Sequence, residues 1–171
     1  MKTYRIRLKP HCQRATDVER NYFTHATKGA GSEPLICALD LREPCSSQSL
    51  IDRTLDRFGR IDALLNIAGA VPQIDLFEMT DQQWEDGAAL KLHASRRLTI
   101  RAWEALKAAN GAVVFISGSA ALDPKPGFAA VATINAAIIA LAVAGDAGLF
   151  RKFLQSFLHG HSVRGCPFLH E

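Results

Sequence analysis

Residues 58–69 read Phe58-Gly59-Arg60-Ile61-Asp62-Ala63-Leu64-Leu65-Asn66-Ile67-Ala68-Gly69. Gly59 directly follows a stretch in which Ile51, Leu55 and Phe58 recur at helical spacing, the place where a left-handed residue closes a helix. The run from Ile61 to Ile67 is short and nearly all apolar, as a strand buried in a parallel sheet must be. It ends in Ala68-Gly69, a pair small enough for a backbone or ligand to come close. A helix turning at once into a buried strand is the repeating step of an α/β fold.

The flanks extend the same pattern. Leu35-Ile36-Cys37-Ala38-Leu39, ending in Asp40, predicts an earlier buried strand, and Ser46 or Ser47 can cap the helix between them. Thr80-Asp81-Gln82-Gln83 is a capping box ahead of Trp84, opening a long helix to about Ala109 with an apolar face that includes Trp84, Leu92, Ile100 and Trp103. Gly111 leads into Ala112-Val113-Val114-Phe115-Ile116, rich in β-branched residues, which stops at a Ser-Gly-Ser turn. After Pro124 and Pro126, the segment Phe128 to Ala144 is almost wholly apolar. Its length suits a membrane span, but its apolarity is mostly alanine and no aromatic belt flanks it, so it reads as a buried helix. Strand, helix, strand, helix, strand, helix gives a parallel sheet.

At 171 residues the chain has room for one core, and 48% hydrophobic with 22% charged residues excludes a disordered or collagen-like chain. A net charge of +3, with 20 basic residues scattered among 17 acidic ones, implies no nucleic-acid partner. Four cysteines (Cys12, Cys37, Cys45, Cys166) lack any Cys-x-x-Cys spacing and read as free thiols of a reducing compartment. No apolar segment follows the basic start, so a cytoplasmic protein with no membrane partner is expected. His159, His161 and Cys166 have loose ligand spacing but no evident fourth ligand, so no metal is expected.

The phrase Phe58 to Asp62 followed by Asn66-Ile67-Ala68-Gly69 resembles the Asn-Asn-Ala-Gly region of the short-chain dehydrogenase/reductase family, with Ile67 in place of the second Asn. Asp40-Leu41 is similar to that family's Asp-Val/Leu pair at the end of its third strand. The resemblance implies a Rossmann-type domain binding NAD or NADP. It places Asp40 and Leu41 at the adenine and Asn66, Ala68 and Gly69 at the nicotinamide ribose. Ser117 or Ser119 stands where the family's Ser hydrogen-bonds the substrate oxygen. Val131 and Asn135 occupy the positions of its catalytic Tyr and of the Lys four residues on, and Lys91 that of an Asn on the long helix. Val cannot transfer a proton. Lys91 or His93 could substitute as proton donor, although an exposed helix-face residue is the commoner meaning of either.

The family's glycine-rich turn into a helix, which holds the pyrophosphate, is not found before Asp40. Gly29-Ala30-Gly31 leads into a strand and reads as a loop. The expectation is therefore an α/β fold with a partial Rossmann-type parallel sheet and flanking helices, its first βαβ unit missing. Residues 1–30 would be an unmatched and poorly ordered segment apart from one edge strand, Tyr4 to Leu8. Residues 31–145 would be the Rossmann-like core and 146–171 an unmatched tail. By resemblance this is a truncated, divergent NAD(P)-dependent oxidoreductase acting on a small-molecule carbonyl/alcohol pair, impaired or inactive, with cofactor binding weak or lost. The alternative is a non-catalytic binding or oligomerisation module. A homodimer through helices 80–109 and 128–144 is expected, because the second presents small residues on nearly every side.

Overall fold

The computed structural model describes residues 35–145 and a strand at Leu154–Phe157. The expected edge strand at Tyr4 to Leu8, the Gly29-Ala30-Gly31 loop and the histidines of the tail lie outside the described residues. In chain order the elements are α1 (Pro44–Phe58), β1 (Ala63–Asn66), α2 (Asp81–Ala88), a π-helical turn (Ala89–His93), α3 (Ala94–Ala108), β2 (Ala112–Gly118), a 3₁₀ turn (Ser119–Ala121), α4 (Ala129–Ala144) and β3 (Leu154–Phe157). The strands form one parallel sheet in the order β1-β2-β3, with Asn66 opposite Phe115 and Phe115 opposite Leu154.

Local chemistry sets most boundaries. Gly59 sits at φ 72° and its N–H bonds Leu55 O at 2.7 Å, closing α1 as its position predicts. The capping box is complete: Gln83 N donates to Thr80 Oγ1 at 3.3 Å, and Thr80 N donates to Gln83 Oε1 at 2.9 Å. At the other end of α3, Gly111 N bonds Leu106 O, and Ala112 N bonds Asp62 O to start β2 beside β1.

Four expectations need correction. Leu35 to Leu39 is no strand: Cys37 is buried but Ile36 is 55% exposed, and among the described residues no strand pairs with this run. Helix α1 begins at Pro44 rather than behind Ser46 or Ser47, because proline lacks the N–H that a first helical residue leaves unpaired and its φ is already helical. The long helix carries a π-turn, and an added residue in a turn rotates the rest of the helix about its axis. The buried stripe is Leu90, Ala94, Leu98, Ala102 and Leu106, while Ile100 is 55% exposed. Finally, the tail does supply a parallel strand, β3.

The core lies between one face of the sheet and the helices. Leu64, Val113 and Phe115 meet Leu90, Leu98, Leu106 and Ile138, with Leu50 and Ile51 of α1 packed in from α3. Fully burying one such side chain stabilises the fold by about 1.5–3 kcal/mol. The alternate residues Ala63, Leu65, Ala112, Val114 and Ile116 are only half-buried. Among the described residues, no helix is long and apolar enough to cross a membrane.

Candidate functional site

Parallel α/β sheets bind ligands beyond the carboxyl ends of their strands, and here those ends are Asn66 and Gly118. Asn66 is 5% exposed, and its Nδ2 reaches Thr99 Oγ1 of α3 only at 3.5 Å. Its buried Oδ1 has no hydrogen-bond partner among the described residues, and leaving such a group unsatisfied costs about 1–3 kcal/mol. Ala68 packs against the core. Gly69 lies beneath Lys91, so that a methyl group on Gly69 would come within 2.9 Å of Lys91 Cδ.

At the end of β2, alternation turns Ser117 inward, 2% exposed, with its Oγ donating to Asn135 O at 3.0 Å. Ser119 is exposed and opens the 3₁₀ turn. Asn135, on α4, is 3% exposed and fully engaged: Oδ1 accepts from Gly118 N at 2.8 Å and Nδ2 donates to Val131 O at 2.7 Å. Ser117 and Asn135 are thus brought together, but as a clasp fastening α4 to β2. Val131 is half-buried on the preceding turn.

The Asp40-Leu41 pair is committed as well. Asp40 accepts from Arg42 N and Nε at 3.0 Å and from Arg42 Nη2 at 2.6 Å. Hydrogen bonding to this carboxylate, and then its charge, raise the Arg42 pKa above its ordinary value. The Leu41 side chain is 1% exposed, and its carbonyl accepts from Arg97 Nη2 at 3.0 Å, which ties the loop to α3. Asp40 and Leu41 sit at the loop before α1, while Asn66 ends β1 and Ala68 and Gly69 follow it.

On sequence alone Lys91 is one helix-face residue beside His93. The structure separates them: His93 is exposed, whereas Lys91 is partly buried in the π-turn, and desolvation lowers its pKa below 10.5. No residue pattern announces a π-turn, so the sequence carries no signal for it.

This arrangement, helices flanking a parallel sheet with polar residues gathered at its carboxyl end, defines a Rossmann-like α/β domain. The family model described as enoyl-(acyl carrier protein) reductase matches residues 13–144. An uncharacterized NAD-dependent oxidoreductase of Mycobacterium tuberculosis is 30% identical over 154 residues, covering 87% of this chain and 55% of its own. Dehydrogenase/reductase SDR family member 4 of Caenorhabditis elegans is 29% identical over 131 residues, 75% of this chain and 48% of its own. A short-chain dehydrogenase/reductase from Serratia marcescens superposes with a TM-score of 0.69 at 20% identity, over 77% of this chain and 54% of that one. The chain belongs to the short-chain dehydrogenase/reductase family, whose members are oxidoreductases. It spans about half the length of the curated relatives it matches.

Proposed function

We propose that this chain is an NAD(P)-dependent oxidoreductase by descent whose hydride transfer on a carbonyl/alcohol pair is impaired. The observation that carries this reading is the clasp at Asn135. The position read as the family's lysine holds an amide whose two ends are spent on Gly118 N and Val131 O. The position read as its tyrosine is Val131, which has no proton to give.

The described residues also fit a nicotinamide nucleotide poorly. Asp40, read as the adenine acceptor, is taken by Arg42, and the stem of Lys91 fills the approach to Gly69 that a small residue would leave open. NAD and NADP are therefore expected to bind weakly. Fluorescence titration of the full chain with NADH and NADPH tests this: micromolar binding of either overturns the reading, and saturation absent at millimolar concentration supports it.

A second reading, a non-catalytic oligomerisation module that keeps the family's helices, rests on a separate observation. A cavity of about 350 Å³ lies between α3 and α4, lined by Thr99, Ile100, Trp103, Phe115 and Leu141 among others. It offers an apolar seat for a second copy of this chain. It is remote in chemistry from the polar clasp, so both readings can hold together.

A further inference from the structure

The lysines of the described residues are not alike. Lys107 is paired to Glu104 at 2.8 Å and Lys125 is exposed in the loop before α4. Lys91 is partly buried, and its ammonium has neither an ion pair nor a hydrogen bond among the described residues. Its stem lies along Gly69, three residues past the carboxyl end of β1, on the side of a parallel sheet where ligands bind. The π-turn that presents it is fixed from below, where Ser95 Oγ donates to Lys91 O at 2.6 Å. Such turns are frequent at functional sites. Ile67, two residues before Gly69, is 46% exposed.

We infer that Lys91 is a nucleophilic amine site that takes small uncharged aldehydes or ketones as imines. Burial, with no counter-ion among the described residues, disfavours the ammonium and leaves a larger share of free amine near neutral pH than an exposed lysine has. The Nζ lone pair adds to the carbonyl carbon, the C=O π pair takes up a proton, and a carbinolamine results. Loss of water breaks the C–O bond and forms C=N, the Nζ proton leaving with it. No redox partner enters this step, so the site stands whether or not a nucleotide binds.

The test uses the full chain, propanal and sodium cyanoborohydride, whose hydride reduces the imine to a stable secondary amine that peptide mass mapping locates. Lys91 should be labelled about threefold or more faster than exposed Lys125 in the same sample. Equal or slower labelling of Lys91 overturns the proposal, and this comparison needs no variant. In Lys91→Arg, the fast phase of labelling summed over the lysine side chains, with the α-amino peptide left out, should disappear while Lys125 labels as before; a fast phase that persists would place the reactive amine at another lysine.

Discussion

At Asn135 a position read from sequence as vacated chemistry turns out to hold the end of β2 to α4. Substitution by Ala would leave the Gly118 N–H without its acceptor, so a loss of about 1–3 kcal/mol is expected. Urea denaturation measures it. For the same reason Val131→Tyr with Asn135→Lys should not create a carbonyl reductase: the lysine cannot accept from Gly118 N, and Asp40 stays bound to Arg42. Turnover by the double variant in an NADPH-linked substrate panel would contradict this. Lys91 makes a prediction of opposite sign. Burial lowers its folded pKa below 10.5, so between that folded value and 10.5 the unfolded chain binds more protons, and stability must rise with pH across the window. At neutral pH the whole cost of the half-buried charge is present. Lys91→Met should therefore raise the urea midpoint at neutral pH and flatten its rise toward about pH 10.

Elements were legible where a local rule decides them. Thr80 and Gln83 close a capping box that any chain with those residues before a helix would make, and Thr80→Ala should cost about 1 kcal/mol, read from thermal or urea unfolding. Gly59 and the apolar run of β2 were equally plain; α4 is a helix as expected, but it is buried along one face only, at Ala130, Ala132, Ile134, Asn135 and Ile138. Elements were misread where a partner decides them. Leu35 to Leu39 has the composition of a strand, yet a strand exists only by pairing, and nothing among the described residues pairs with it. Leu154 to Phe157 is too short to announce itself and becomes a strand by lying along Phe115 to Gly118. The π-turn escaped because it changes hydrogen bonding without changing composition; the buried stripe leaves Ile100 exposed, while Leu92 still packs against the core. The candidate site was legible as a list of residues. Their commitments to each other, Asp40 to Arg42 and Ser117 to Asn135, depend on side-chain directions that only packing fixes.

For the whole molecule the open question is what covers the outer groove of α3 and α4. Ile100 and Val143 are 55% and 59% exposed, and Ile100 lines the same cavity as Trp103, Phe115 and Leu141. Exposed apolar side chains beside an apolar cavity suit a partner surface, and a two-fold axis would bring the same helices of a second copy against them. A homodimer is expected, with Ile100 near its centre. Ile100→Asp is a clean probe, because a residue this exposed leaves the fold of the single chain intact while setting an unpaired charge in the interface. Such a charge should weaken association roughly tenfold or more. Light scattering during size exclusion, at several loading concentrations, should show the wild-type chain at twice its mass and Ile100→Asp shifted toward the monomer. A wild-type monomer at tens of micromolar, or a variant that associates as the parent does, would remove the groove from the dimer and leave the oligomerisation reading without its footing.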